Sequence, residues 1–313
     1  MSDAIAIDAL TKIYGERAVV DAVSLDVASG SVFGFLGPNG SGKTTTIKML
    51  CGLVHPTSGK ATVNGFDIVA QSDAVRRSIG YMAQGFALYG DLTVDENLEF
   101  YTRAYGLGRR GEQRKKEVIE TVGIGRYRNY FGAQLSGGWQ RRLALAAALI
   151  HDPLLVFLDE PTAGIDPVAR RDLWDLLFQL TAQGKTFFVT THYMDEAERC
   201  SSLAYIYEGK LLARGSPDQI RELREVTPQG SVRYTIATDE VMDVFRRVRS
   251  VEGIRDATIF GRDIHVVVDA SMTPRALADA LHVDPARVVP VEPSLEDAFV
   301  MLTRSRLHDE PAD

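Results

Sequence analysis

Apolar positions along this chain fall into two rhythms. Unbroken apolar runs short enough for buried strands occur at 31–36 (Ser31-Val32-Phe33-Gly34-Phe35-Leu36), at 154–158 and at 186–190. The stretch 139–150, from Trp139 to Ile150, is apolar nearly all round and predicts a buried helix. Thr93-Val94-Asp95-Glu96 has the form of a capping box, which predicts a helix from there to about Tyr105. Asp166-Pro167 pairs a capping side chain with proline at the first helical position, predicting a helix to about Leu180. Strands alternating with helices imply a parallel sheet with helices on its faces. Ahead of this core, 5–27 reads as antiparallel strands with a turn near Tyr14-Gly15-Glu16. Beyond residue 230 the order becomes strand, helix, strand, strand, helix, strand, helix, as expected of a small α+β unit of ferredoxin-like type.

Composition sharpens this into two domains. The 313 residues are 45% hydrophobic, enough for one large domain and a smaller one. The net charge of −7 is unevenly spread: from Val226 onward there are ten arginines, no lysine and fifteen acidic residues. With the turn signal Thr227-Pro228-Gln229-Gly230, this predicts a boundary between domains 1–225 and 226–313. The acidic balance argues against a broad nucleic-acid-binding face, so no nucleic-acid partner is expected. No apolar run approaches the ~18 residues of a membrane span. The longest, 143–150, stops at His151-Asp152-Pro153, and Met1-Ser2-Asp3-Ala4 lacks the basic start of a signal peptide. A membrane role would therefore come through a partner. Cys51 and Cys200 have no metal-ligand spacing and fit a reducing compartment. The basic run 109–116 reads as the solvated start of a helix.

The chemistry concentrates around Gly37-Pro38-Asn39-Gly40-Ser41-Gly42-Lys43-Thr44-Thr45, which fits the phosphate-binding loop G-x-x-x-x-G-K-[ST]. The apolar run 31–36 supplies the strand before it, and Thr45-Thr46-Ile47-Lys48-Met49-Leu50 opens the helix after it. Glycines let the loop wrap a phosphate with its N–H groups inward, and the helix N-terminus adds partial positive charge there. Lys43 is expected to reach the β- and γ-phosphates of a nucleotide and Thr44 to hold Mg²⁺. The second apolar strand ends in Asp159-Glu160, delivering two carboxylates to the edge of the sheet where the loop lies. Asp159 is expected to anchor Mg²⁺, and Glu160 to act as general base on water.

Leu135-Ser136-Gly137-Gly138-Trp139-Gln140 opens the buried helix and resembles the Leu-Ser-Gly-Gly-Gln signature of ABC-transporter ATP-binding subunits. The resemblance covers about the first 225 positions. It implies the P-loop ABC ATPase fold: an α/β domain with a parallel core sheet, an antiparallel β subdomain and a helical subdomain, followed here by the small α+β domain. It also implies roles. Tyr14 falls where the family stacks an aromatic ring on adenine. Gln84 matches the glutamine that touches Mg²⁺ and the attacking water. Ser136, Gly137 and Gly138 match the residues that meet the γ-phosphate held by an opposite subunit. Ala163-Gly164-Ile165-Asp166 matches the loop crossing the dimer interface, with Ala163 replacing the more usual serine, and His192 matches the histidine contacting the γ-phosphate. Trp139 departs from the pattern, since glutamine is usual, and its indole has the size to touch a partner's nucleotide or loop.

Gln84-Gly85-Phe86-Ala87-Leu88-Tyr89-Gly90-Asp91-Leu92-Thr93-Val94 and Pro293-Ser294-Leu295-Glu296-Asp297-Ala298-Phe299 resemble subunits of drug and antibiotic exporters. The second also reads as a capped amphipathic helix. The resemblance implies an ATPase that uses ATP and Mg²⁺ and pairs head to tail with a second copy. Its other expected partner is a separate membrane permease, received by the stretch from Phe86 to Thr93 on the cytoplasmic face of the membrane. Two other readings exist: a soluble ATPase of the same family acting on ribosomes or nucleic acid, and a nucleotide-gated binding module. Only 93 positions separate Lys43 from Ser136, with no heptad array, which disfavours the chromosome-clamp form of the first. Intact Lys43, Asp159, Glu160 and His192 disfavour the second.

Overall fold

The computed structural model describes residues 3–85 and 88–309. In chain order the elements are β1 (Asp3–Tyr14), β2 (Arg17–Ala28), β3 (Val32–Leu36), α1 (Lys43–Leu50), β4 (Ser58–Val63), β5 (Phe66–Asp67), α2 (Ser72–Ser78) and β6 (Ile79–Met82). Then follow α3 (Val94–Ala104), α4 (Gly111–Thr121), α5 (Gly137–Leu149), β7 (Leu155–Asp159), α6 (Pro167–Ala182), β8 (Thr186–Thr191), α7 (Met194–Ala197), β9 (Ser202–Tyr207) and β10 (Lys210–Gly215). The remainder comprises α8 (Pro217–Arg221), β11 (Ser231–Ala237), α9 (Val241–Val248), β12 (Ile254–Phe260), β13 (Asp263–Asp269), α10 (Pro274–Leu281), β14 (Val288–Pro290) and α11 (Leu295–Asp309). Among the described residues no helix is long and apolar enough to cross a membrane.

The chain divides into two compact units, 1–216 and 217–313. In the first, six strands run in the order β10-β9-β3-β8-β7-β6, parallel except for β10. Helices cover both faces of such a sheet, and every residue of β3, β7 and β8 is buried, which is why these strands read as unbroken apolar runs. Phe188 sits at the centre of the core, 5.3 Å from the Phe33 ring and 5.4 Å from those of Phe35 and Phe157. A second, antiparallel sheet runs β2-β1-β4-β5. The parallel register sets Leu36 beside Thr191 and Asp159 beside Thr190. The segments after β3, β6, β7 and β8 therefore leave the sheet at one edge, the carboxyl edge where α/β proteins bind ligands.

Helices α3, α4 and α5 pack together. The capping box forms as expected: Thr93 Oγ1 accepts from Glu96 N at 3.2 Å, and Glu96 Oε2 from Thr93 N at 2.8 Å. The basic run leads into α4 with Arg109, Arg110 and Lys116 exposed, as the sequence suggests, but one of its charges is not solvated. Lys115 is buried, with its ammonium 2.9 Å from Asp95, 3.3 Å from Glu99 and 2.8 Å from Glu112. Burial opposes that charge, and the three carboxylates outweigh it, raising the pKa of Lys115.

The second unit shows the expected order of elements. Its antiparallel sheet runs β12-β13-β11-β14. The core gathers Ile236, Val244, Val266, Leu277 and Leu281. The segment Ser294 to Asp297 is the cap of α11, and it is also an anchor. Asp297, itself buried, accepts from Arg233 Nη1 at 2.9 Å and from Ser294 N and Oγ at 2.9 Å, and lies 3.2 Å from His265 Nδ1. Arg233 also donates to Val226 O at 3.0 Å. Together with the packing of α8 on α11, this places 217–225 in the second unit, so the compact units part before the position that composition suggests.

Candidate functional site

The loop 37–42 joins β3 to α1 and turns at Gly40 and Gly42, whose positive φ only glycine adopts without strain. Gly42 has φ of 106°, and a Cβ there would lie 2.4 Å from Val19 O. A Cβ on Gly37 would lie 2.2 Å from Ile206 O. The loop floors a cleft of about 230 Å³ lined by Val19, Asn39, Gly40, Gly42, Lys43, Thr44, Thr45, Gln84 and Glu160. Lys43 is buried, and its ammonium donates to Gly37 O at 2.8 Å and Pro38 O at 3.0 Å and lies 3.5 Å from Glu160 Oε1. Burial lowers its pKa, with Glu160 opposing the shift. Ser41 Oγ and Asp159 Oδ2 are buried without a hydrogen-bond partner. Such orphaned oxygens point to a polar ligand at this edge.

The two carboxylates behave differently because the strand turns between them. Asp159 is fully buried, and its Oδ1 accepts from Thr190 Oγ1 at 2.7 Å and from Thr44 Oγ1 at 3.3 Å. Glu160 adopts φ of 50°, an uncommon conformation for a residue with a side chain, and its N–H donates to Thr190 Oγ1 at 3.0 Å. That turn aims its carboxylate into the cleft. Gln84 Nε2 donates to Glu160 Oε2 at 2.8 Å, and His192 Nδ1 lies 3.4 Å from Glu160 Oε1. Lys43, Gln84 and His192 thus surround the Glu160 carboxylate, although the four residues come from separate segments.

Other expected residues stand apart from this group. Tyr14 is half-exposed near the turn of the β1–β2 hairpin, with the Lys12 ammonium 5.0 Å from its ring centre, and it does not line the cleft. Ser136 is the exposed N-cap of α5, with Gly137 and Gly138 in the first turn, and none of the three lines the cleft. Gly138 is required by packing, since a Cβ there would lie 2.7 Å from Ala169 Cβ. The Trp139 indole turns back onto its own unit: its ring lies 4.7 Å from that of Tyr127, with the guanidinium carbons of Arg126 and Arg142 at 4.9 and 5.3 Å. Phe86 and Ala87 of the expected docking stretch lie outside the described residues.

Sequence reasoning missed three residues that hold this constellation. Thr190 carries both Asp159 and the Glu160 N–H. Arg141, buried on α5, donates to Gln84 O at 3.0 Å and to Ala163 O at 3.1 Å. Glu196 on α7 is fully buried beneath the His192 segment. Only Arg141 left a signal, as a charge inside a helix otherwise rich in apolar residues.

The sequence model of the family described as "ABC transporter" matches residues 20–163. A probable multidrug ABC transporter ATP-binding protein of Escherichia coli, YbhF, is 46% identical over 213 residues. That match covers 68% of this chain and 37% of the relative, so the chain spans little more than a third of its length. The linearmycin resistance ATP-binding protein LnrL of Bacillus subtilis is 34% identical over 310 residues, covering 96% of this chain and 98% of the relative. Among solved structures, a dimeric ATP-binding cassette in a post-hydrolysis state with ADP and Pi is 27% identical, with a TM-score of 0.62 over 68% of this chain and 98% of that one.

Proposed function

This chain belongs to the ABC transporter family, and from that premise we propose that it is the ATP-hydrolysing subunit of an exporter, driving a separate membrane permease by ATP-dependent closure of a head-to-tail dimer. The observation that carries the reading is the convergence of Lys43, Gln84 and His192 on the Glu160 carboxylate, which lines a cleft floored by the phosphate loop. ATP is the substrate. Its phosphates would lie along the N–H groups of 39–45 and the first turn of α1. Lys43 would exchange part of its contact with Glu160 for β- and γ-phosphate oxygens. Glu160, released toward the cleft, would accept a proton from the attacking water, which Gln84 would orient. His192 would contact the γ-phosphate and, beside Glu160, steady it.

The residues fit a magnesium ion. Among the described residues no three histidines, cysteines or acids cluster as a metal site, so a cation here would be held by one carboxylate and neutral oxygens. Asp159, whose Oδ2 has no partner, the Thr44 hydroxyl and the Gln84 amide oxygen form such a donor set, suited to a hard cation that keeps several waters. When bound, the ion would neutralise charge on the phosphates.

Ser136 and the first turn of α5 would complete the site across the dimer, taking the γ-phosphate held by the partner. Ser136 is exposed and lies outside the lining of the Lys43 cleft, which supports that arrangement. The permease would dock beside the described part of the 86–93 stretch. There Tyr89 and Phe100 are exposed, their rings packed edge-on at 4.8 Å. Asn97 holds the backbone behind them, accepting from Tyr89 N and donating to Tyr89 O, both at 2.9 Å. In that arrangement the subunit would sit on the cytoplasmic face of the membrane. The relatives' names, multidrug and linearmycin resistance, favour export of a drug-like compound.

Glu160→Gln tests the reading. The amide keeps the shape and loses the base, so ATP turnover should fall at least ~100-fold, in line with loss of a general base. ATP binding should persist. Size-exclusion chromatography with ATP and Mg²⁺ should then show a dimer, whereas a monomer that still hydrolyses ATP would refute the proposal.

A further inference from the structure

We propose that Glu196 is a positioning residue that sets Glu160 and His192 in register, acting through two threonine hydroxyls. The inference rests on the reading of those two residues as parts of the hydrolytic site. Glu196 is fully buried on the short helix α7. A buried carboxylate is costly unless its oxygens are engaged. Here the partners come from three separate segments. Its Oε1 accepts from Thr162 Oγ1 and lies 3.6 Å from Arg170 Nε on α6. Its Oε2 accepts from Thr191 Oγ1 at 2.6 Å.

The positions of those partners give the carboxylate its reach. Thr162 is separated from Glu160 only by Pro161, whose ring fixes one backbone angle and stiffens the link. Thr191 directly precedes His192, and its hydroxyl also accepts from Tyr193 N at 3.0 Å. Both residues flanking His192 are therefore tied to the same buried group. The Arg170 guanidinium lies 4.3 Å from the centre of the Tyr193 ring, fixing that side as well. One carboxylate thus joins the turn that carries Glu160 to the turn that carries His192. Without that tie, the His192 side of their 3.4 Å approach would lose its link to the Glu160 turn, leaving the register of β7 and β8 and the contacts Glu160 makes with Lys43, Gln84 and Thr190.

The test is steady-state ATP hydrolysis by the full chain carrying Glu196→Ala, Glu196→Gln or Thr191→Val, each alone and combined with His192→Ala. Glu196→Ala should lower kcat about tenfold or more with KM for ATP within about twofold, because the binding loop is untouched and the hydrolytic pair is displaced. Thr191→Val should give a smaller loss of the same kind. Glu196→Gln should recover most of the rate, since an amide can meet both hydroxyls. In the His192→Ala background, Glu196→Ala should cost less than it does alone, because only its hold on the Glu160 turn remains to be lost and residues acting as one unit are not additive. A matching rise in KM, an unchanged kcat, or full multiplication of the two losses would overturn the inference. If Glu196→Ala does not fold, as judged by circular dichroism, Glu196→Gln and Thr191→Val decide by the same criteria. If His192→Ala and Glu160→Gln themselves keep normal turnover, it is the functional reading that fails. If they are inactive and the Glu196 and Thr191 variants are normal, only this inference fails.

Discussion

Trp139 shows how a residue that departs from a motif can be absorbed by its own surroundings. Read from sequence, an indole in the signature has the size to reach across a dimer. In the structure it lies against Tyr127 with Arg126 and Arg142 near its ring, as a cation–π and aromatic brace between α5 and the segment before it. The brace is worth roughly 0.5–2 kcal/mol of local stability and places no polar atom in the cleft. Trp139→Gln should therefore retain at least partial ATPase activity with a slightly lower melting temperature. Ser136→Arg should be far worse, because a bulky cation would occupy the exposed N-cap proposed to meet the partner's phosphate. Equal loss of kcat in both variants would show that the indole itself meets the nucleotide. Residues of this scale were legible when a motif spelled them out, as at Lys43, Asp159 and Glu160. Thr190 and Glu196 were not, because a lone hydroxyl or carboxylate has no period or spacing, and its importance comes only from what the fold brings beside it.

At the scale of elements, burial decided what could be read. β7 and β8 announced themselves because both of their faces are covered, whereas β4, with four exposed residues and the opening Ser-Gly-Lys, carries almost no strand signal. Packing between elements was less legible still, and His151 illustrates it. The imidazole lies just past α5, stacked on the Tyr105 ring at 3.7 Å beyond the end of α3, with Nε2 2.9 Å from Ile79 O on β6. As donor to that carbonyl the ring is neutral, and Nδ1 has no hydrogen-bond partner. Burial, reinforced by Arg114 and Lys185, lowers its pKa from 6.5 to about 4. The unfolded chain then binds the extra proton between those values, so stability rises with pH across that window. The contribution is complete above about pH 6.5 and is lost as pH falls toward 4. Discounted for partial exposure, it amounts to about 1–2 kcal/mol. Thermal unfolding at pH 7.5 and 5.0 should show a drop in midpoint that His151→Phe reduces, since phenylalanine keeps the stack and removes the proton site. An identical drop in both proteins would place the pH sensitivity elsewhere.

At the scale of the molecule, each unit carries what a folding domain needs. The first has an apolar core centred on its parallel sheet, and the second has its own around β11, β13, α9 and α10. The residues proposed to handle ATP, from Lys43 to His192, all lie in the first unit. The second carries its own internal lock, the buried Arg233–Asp297 pair, which holds α11 within that unit. A pair so buried is costly to break but is satisfied without any residue of the first unit. We therefore expect a chain ending at Ser216 to fold and to bind ATP within about threefold of the full chain, a difference of less than 1 kcal/mol. Ending there rather than at Glu225 matters, because 217–225 belongs with the second unit and would leave Ile220, buried in the intact protein, exposed. The shortened chain should lose assembly with the permease or persistence of the ATP-bound dimer rather than nucleotide recognition, which separates a holding role for the second unit from a catalytic one. Circular dichroism and calorimetric titration with ATP check this directly. A shortened chain that is folded yet no longer binds ATP would mean that the second unit contributes to the nucleotide site itself.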